Sequence, residues 1–315
     1  MQKNMKKEGL KISKTVIIAD YTCNNNCLFC IDSEKRSILP RSTATIIKEM
    51  KEARKRDNTY LELIGGELTL REDIFLIIDC AKKLGFDTIA MATNGRMLAY
   101  LDFAKKLIEA GLTHIIFSIH GHTHELHDSL TRAKGSLKQL LQGLKNLKTL
   151  NFKQIGSNTT IVKQNYRSLP KIGRFIKDLN IYNAEFIFVD PNYGGARSHF
   201  EELVPRISDV APYAHACLDL YKNSGASHWH IRYVPLCYFI GYKDQISELH
   251  EYRTFKTEHL APDFRNFDVE GTRGIIGRIK PTKCKICKEF HICEGIWKEY
   301  YNHFGDGELK PIIKT

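Results

Sequence analysis

Thiols are the groups best able to do chemistry in this sequence, and their spacing indicates which chemistry. Of nine cysteines, seven fall into two groups. Cys23, Cys27 and Cys30 stand in CNNNCLFC, a CxxxCxxC spacing. Cys284, Cys287 and Cys293 form CX2CX5C, with Cys237 as the expected fourth member, so that only Cys80 and Cys217 stand apart. Thiols grouped in a reducing compartment bind metal more often than they pair as disulfides. A short loop with the first spacing can turn three thiolates toward one point. Three ligands leave one iron of a four-iron cluster open to a small molecule; zinc, the competing metal, usually takes four ligands in a structural site.

The elements that must position these groups read as alternating β and α. Strand candidates are 15–20, 60–65, 88–93, 114–119, 155–162 and 184–190. Between them, Ser42 can cap a helix carrying Ile46, Ile47, Met50 and Ala53 inward; Ile74, Ile77, Ile78, Ala81 and Leu84 mark the next inward face; Leu137, Leu140, Leu141, Leu144 and Leu147 mark a later one. Six β-then-α units over 15–200, after a basic tail 1–14, predict an α/β fold: a parallel sheet curled as a partial (β/α)6 barrel with helices outside. In such sheets chemistry collects at the carboxyl ends of the strands, and CNNNCLFC directly follows the first. Beyond residue 200 the pattern changes. Residues 205–225 read as one helix ending at Gly225, WHIRYVP as a strand, and 241–280 as irregular, so that 201–315 is expected to form a small C-terminal domain around the second thiol group.

Other strand ends carry their own signatures. The second ends in Gly65-Gly66-Glu67, the third in Thr93-Asn94-Gly95 and the fourth in Ser118-Ile119-His120-Gly121. Together with CxxxCxxC after the first strand, this order resembles the radical S-adenosylmethionine (radical SAM) enzymes over about residues 15–200. The resemblance implies a 4Fe–4S cluster on Cys23, Cys27 and Cys30 whose open iron chelates the amino and carboxylate groups of S-adenosylmethionine. An electron from the cluster then cleaves the sulfonium to a 5′-deoxyadenosyl radical, which takes a hydrogen atom from the substrate, while the protein positions and shields the reaction. The resemblance also implies that Gly65 and Gly66 let the backbone approach the methionine end, that Glu67 accepts the amino group, and that Phe29 lies beside the adenine. Asn94 joins the cofactor contacts, Ser118 and Asn158 meet the ribose hydroxyls, and Arg132 pairs with the carboxylate. Ser118 and Asn158 read equally well as polar strand ends, and Arg132 as a surface residue.

Three close thiolates in the second group again imply metal and a fourth ligand. Cys237 is the preferred candidate because it ends the strand RYVPLC; Cys217, on an amphipathic helix, is its rival, and Cys80 reads as a core thiol. Zinc, with His291, is the alternative metal. The spacing resembles part of the SPASM and twitch auxiliary domains of radical SAM maturases. One auxiliary 4Fe–4S cluster with four cysteines is what that likeness implies, with Lys283, Lys285 and Lys288 offsetting its charge.

The formal charge is +11. A basic surface attracts nucleic acid or acidic peptides, but lysine-rich helices are commonly solvated faces and thiolate-bound clusters add negative charge, so nucleic acid is not the expected partner. No apolar run reaches the roughly 18–20 residues of a membrane span, and MQKNMKKEGLKISK lacks the apolar stretch of a secretory signal; the expected location is the cytoplasm. GHTHELH supplies four histidines, of which His120 is the candidate for proton transfer, with Cys217 as a candidate hydrogen-atom donor. DPNYGGAR (190–197) offers Asp190, Asn192, Tyr193 and Arg197 to a substrate, or is a turn into the second domain. The expected substrate is a peptide or protein side chain, with a small molecule (sugar, nucleoside or cofactor precursor) as the alternative, and the expected electron source is a carrier such as flavodoxin or ferredoxin. A non-catalytic metal protein bound to nucleic acid is the third reading, and an intact Gly65-Gly66-Glu67 speaks against it.

Overall fold

The computed structural model describes residues 11–222 and 228–313. Residues 1–10 of the predicted tail, and the predicted helix end at Gly225, lie outside the described residues. Six strand–helix units open the chain: β1 (Ile12–Ile18), α1 (Thr43–Lys55), β2 (Tyr60–Ile64), α2 (Ile74–Lys83), β3 (Thr88–Thr93), α3 (Leu101–Ala110), β4 (His114–Ser118), α4 (His124–Thr131), α5 (Ser136–Thr149), β5 (Ile155–Ile161), α6 (Leu169–Asp178) and β6 (Asn183–Phe188). Each strand pairs in parallel with the one before it. Short helices α7 (Gly194–Ser198) and α8 (Phe200–Leu203) lead into the longer α9 (Ile207–Lys222).

The helices form where apolar residues recur on one face. Ser42 caps α1 by accepting the Thr45 N–H at 3.2 Å, and Ile46, Met50 and Ala53 are fully buried. On α5 the buried residues include Leu137, Leu140, Leu144 and Leu147; Ile47, Leu84 and Leu141 are only half-buried. Each such Leu, Ile or Met contributes about 2 kcal/mol by leaving water. The register sets Ile17 beside Leu63 and Thr15 beside Leu61, so alternate residues of β1 and β2 face these helices. The opposite face is charged: Lys14 pairs with Glu62, and Arg232 with Glu185 and Glu251.

The sheet is wider than the six predicted strands. Its order is β7-β6-β5-β4-β3-β2-β1-β8-β9, with β7 (His228–Arg232), β8 (Phe255–Leu260) and β9 (Arg265–Asn266) all from beyond residue 200. β7 extends β6 in parallel and β8 lies parallel to β1 on its other side; β9 turns back antiparallel. The stretch expected to be irregular therefore holds α10 (Ser247–Thr254), β8, β9, α11 (Val269–Ile276) and the start of the hairpin β10 (Arg278–Ile279) and β11 (Ile296–Trp297), before α12 (Lys298–Phe304). β8 is hidden in the sequence because FKTEHL carries charge. Its Glu258 is buried, and its carboxylate accepts hydrogen bonds from Thr15 (2.9 Å), Asn58 (2.9 Å) and Arg56 (3.0 Å), which offsets the cost of burying it. α10 packs against both β7 and β8, which lie near opposite edges of the sheet.

Candidate active site and second thiol cluster

Cys23, Cys27 and Cys30 lie on the loop that leaves the carboxyl end of β1, and the loop is held by backbone contacts from other strand ends. The Gly66 N–H donates to Asp20 O at 2.9 Å and the Glu67 N–H to Thr22 O at 2.7 Å. A Cβ on Gly65 (φ +144°) would stand 2.4 Å from Asp20 O, and one on Gly66 only 2.0 Å from Thr22 O. The two glycines thus let the end of β2 lie directly on the cysteine loop. From β4 onward, Thr131 O and Leu130 O at the end of α4 accept the N–H groups of Asn26 and Leu28 at 2.9 and 3.0 Å. From beyond β6, the Gly195 N–H donates to Cys30 O at 2.9 Å; a Cβ there would be 1.9 Å from Leu28 O, and one on Gly194 2.3 Å from Cys30 O. The pair Gly194-Gly195, readable in the sequence only as a turn, is in fact a wall of the thiol loop.

The Glu67 carboxylate is held by groups from two strand ends. It is buried and accepts Thr69 N–H (3.2 Å), Thr69 Oγ1 (2.6 Å), Thr93 Oγ1 (2.8 Å) and Asn94 N–H (2.7 Å). It ties the end of β2 to the end of β3. Burial raises its pKa, and the bonds from Thr69, Asn94 and Thr93 oppose that rise. Asn94 in turn points Nδ2 at Asn24 Oδ1 (2.7 Å) and lies 3.8 Å from Cys23 Sγ. Two arginines absent from the sequence reading clamp the loop: Arg96 donates to Asn24 O and, at 3.0 Å, to Asn25 Oδ1, and Arg36 donates to Asn25 O at 2.9 Å.

Burial pushes the Cys27 thiol up to about 12, with repulsion from Cys30 and Cys23 adding to it. Cys23 and Cys30 are raised by burial as well, and Arg36 works against the rise at all three. Thiols that resist ionisation and repel one another once ionised fit a site completed by a cationic inorganic centre, whose binding displaces the protons.

Ser118 and Asn158 stand side by side in the β4–β5 register, both half-buried. Arg132 caps α4 in the left-handed conformation (φ +49°) with an exposed side chain, two residues from the carbonyl that holds Leu28. Phe29 is buried with its ring edge-on to His120 at 4.7 Å. His120 is buried too: its Nδ1 accepts the Thr160 N–H at 3.2 Å, and burial followed by the neighbouring His127 drives its pKa down to about 3. Its ring is wedged against Phe29, so that it packs on the thiol loop from behind. The histidine loop does not converge: His124 is exposed and His127 faces inward to accept the His120 N–H. Cys217, the candidate hydrogen-atom donor, is 1% exposed on α9, where a Cβ on Gly173 of α6 would stand 2.7 Å from its Sγ. It is a core thiol, away from both cysteine groups. Asp190 follows β6, and burial raises its carboxyl to about 6 against a bond from the Asn192 N–H and attraction to Arg278. The Asn192 side chain ties that turn to Gly277 O (3.1 Å) and to the Glu299 N–H (3.2 Å).

The second group draws four thiols to one place. Cys237, Cys284, Cys287 and Cys293 line a single small cavity together with Leu309 and Pro311. Backbone N–H groups donate to two of the sulfurs, Gly295 to Cys293 (3.4 Å) and Ile312 to Cys287 (3.3 Å), and the Lys310 N–H lies near enough to Cys237 to ease the rise of its pKa. Burial, then Cys293, Cys237 and Cys287, push the Cys284 thiol up to about 11. Among the described residues no three or more His, Cys, Asp or Glu side chains are arranged around a single ion; the ligands of a four-iron cluster each bind a different iron and stand farther apart. His291 is exposed and rests edge-on to Phe290. Lys283 is engaged by Asp306 (3.6 Å), whereas Lys285 and Lys288 are exposed.

Comparison with known proteins agrees with this architecture. A probable GTP 3′,8-cyclase of Metallosphaera sedula is 30% identical over 215 residues, 65% of this chain and 64% of that protein, so the chain spans just under two thirds of that relative. The GTP 3′,8-cyclase of Limosilactobacillus fermentum is 25% identical over 272 residues, 84% of this chain and 71% of the other. In fold, Streptococcus suis SuiB bound to its precursor peptide SuiA has a TM-score of 0.67 at 14% identity, covering 97% of this chain and 75% of SuiB. Native anSMEcpe with bound AdoMet has a TM-score of 0.65 at 14% identity, covering 96% of this chain and 93% of the other. The sequence profile of the Radical SAM superfamily matches residues 17–176, more than half of the 315. A cysteine loop at the mouth of a parallel α/β sheet, within that match, makes the chain a member of the Radical SAM superfamily.

Proposed function

We propose that Cys23, Cys27 and Cys30 hold the 4Fe–4S cluster that binds S-adenosylmethionine, that Cys237, Cys284, Cys287 and Cys293 hold a second, closed 4Fe–4S cluster, and that the substrate is a small molecule, with nucleotides the first class to test. The observation that carries the reading is the half-buried thiol triad on a loop walled by glycine backbone from the ends of β2 and β6. When bound, the cluster and S-adenosylmethionine supply a 5′-deoxyadenosyl radical that removes a hydrogen atom. The chain's own groups bind and shield. Arg132 is free to meet a carboxylate, Ser118 and Asn158 offer paired polar groups on one face, and Asn94 and Arg96 fix the loop beside Cys23. Glu67 acts through Thr93 and Asn94.

Kinship favours the small molecule over the peptide that the sequence alone suggests, because the sequence relatives are GTP 3′,8-cyclases; the likeness to peptide-bound structures is one of fold. No helix among the described residues is long and apolar enough to cross a membrane. The test is anaerobic iron–sulfide reconstitution, then dithionite and S-adenosylmethionine with GTP and other nucleotides. The expected result is 5′-deoxyadenosine that rises with nucleotide, together with a nucleotide product of altered chromatographic mobility. Formation of 5′-deoxyadenosine that responds only to a peptide would overturn the small-molecule reading and leave the radical chemistry in place.

A further inference from the structure

The residues after α12 are pinned before they reach the second thiol site. Glu308 is the anchor: Tyr238 Oη donates to its carbonyl at 2.6 Å, the Ser208 N–H donates to its carboxylate at 2.8 Å, and Tyr300 Oη donates to the same carboxylate. Lys283 Nζ donates to Leu309 O at 3.3 Å, and Leu309 itself is buried. From there the chain crosses the cavity. Lys310 and Ile312 turn their N–H groups onto Cys237 and Cys287, and the Lys288 N–H closes the strap by donating to Ile312 O at 2.8 Å. Among the described residues neither N–H has another acceptor, and neither belongs to a helix or strand. The two sulfurs they address belong to different arms of the site, one after β7 and one within CX2CX5C.

We propose that Leu309–Ile312 is part of the electronic shell of the second cluster, the N–H groups of Lys310 and Ile312 making it easier to reduce. This rests on the reading that the four thiolates hold a 4Fe–4S cluster. One electron entering such a cluster from a low-potential donor takes its total charge, thiolates included, from −2 to −3, with no bond made or broken. N–H dipoles aimed at the sulfurs stabilise the more negative state, and hydrogen bonds to sulfur are among the factors that set cluster potentials. Cys287 carries such a bond from the strap at 3.3 Å and Cys237 faces the Lys310 N–H, so the strap bears on the potential as a unit. A merely structural strap would need only Leu309 in its buried place.

Substitution by proline removes the donor while keeping the chain. The test is a potentiometric titration followed by electron paramagnetic resonance, in full-length protein carrying Cys23, Cys27 and Cys30 as Ala so that one cluster remains. Ile312→Pro and Lys310→Pro are compared with Ile312→Ala and Lys310→Ala, which keep the N–H. The expected result is a lower midpoint potential in each proline variant and an unmoved one in each alanine variant. Loss of the second cluster's iron in the proline variants, with none in the alanine variants, overturns the electronic role and leaves the strap a structural one. An unmoved potential in both proline variants, or equal shifts in the alanine variants, overturns the proposal. Absence of about four irons in the parent protein before any strap change would instead overturn the cluster reading itself.

Discussion

Cys23, Cys27 and Cys30 sit on a loop with little regular structure of its own, held peptide by peptide from the ends of other elements: Gly66 and Glu67 at residues 20–22, Arg96 at 24–25, Leu130 and Thr131 at 26–28, and Gly195 at Cys30. Cys237, Cys284, Cys287 and Cys293 are instead gathered by short local turns and a strap whose N–H groups point at the sulfurs themselves. The first site is framed by its surroundings and has three thiols; the second is framed by its own shell and has four. Other elements reach the first loop chiefly through its backbone, and the N–H at its sulfur comes from within the loop, Asn25 to Cys23 Sγ at 3.3 Å. At the second site a backbone N–H reaches a sulfur from a distant segment, Ile312 to Cys287 Sγ at 3.3 Å.

The contrast breaks most cleanly at the ligands. Cys27→Ala should abolish 5′-deoxyadenosine formation and lower iron from about eight to about four per chain. Cys237→Ala should lower iron by the same amount while S-adenosylmethionine still binds, and Cys217→Ala should lose none. Iron analysis with a binding titration reads all three, and equal loss in Cys217→Ala would end the assignment of the fourth ligand. A smaller effect sharpens the difference in framing. Gly195→Ala places a Cβ 1.9 Å from Leu28 O, which should cost about 1–3 kcal/mol and empty the first site, with the second keeping its iron; thermal unfolding and iron content of the two sites are the measurements. An effect that leaves both thiol groups intact tests the turn between the sites. Asp190 has a folded pKa raised to about 6 by burial, so its contribution to stability is complete below about pH 4 and is lost as pH rises to about 6. Asp190→Asn should therefore gain up to about 3 kcal/mol on the parent at pH 8 and little at pH 4. Denaturation midpoints that follow the same pH curve in both proteins would exclude Asp190 as the source.

How much of this was legible in the sequence depends on where each residue's partners lie. β1 to β6 were legible because apolar runs such as HIIFS and AEFIF signal burial without knowledge of any neighbour. β8 was not, since Lys256, Glu258 and His259 look like a solvated stretch until Thr15, Arg56 and Asn58 supply partners for Glu258. The CxxxCxxC loop was legible as a local spacing, whereas its clamps, Arg36, Arg96 and Gly194-Gly195, are defined by backbone atoms brought near only by folding. Glu67 shows the same limit in reverse. Its motif marked it as important, but its hydrogen-bond partners Thr93 and Asn94, at the end of the neighbouring strand, make it a brace between strands.

The pairing of β8 with β1 has a consequence in time. Thr15 and Glu258 are bonded across 243 residues of sequence, so the first strand made is the one that waits longest for its second neighbour. At about 5–20 residues per second of synthesis, β1 carries an open edge for on the order of 10–50 s after it leaves the ribosome, the interval in which an unpaired strand edge can recruit another chain. Cutting the chain at residue 200 would make that transient edge permanent.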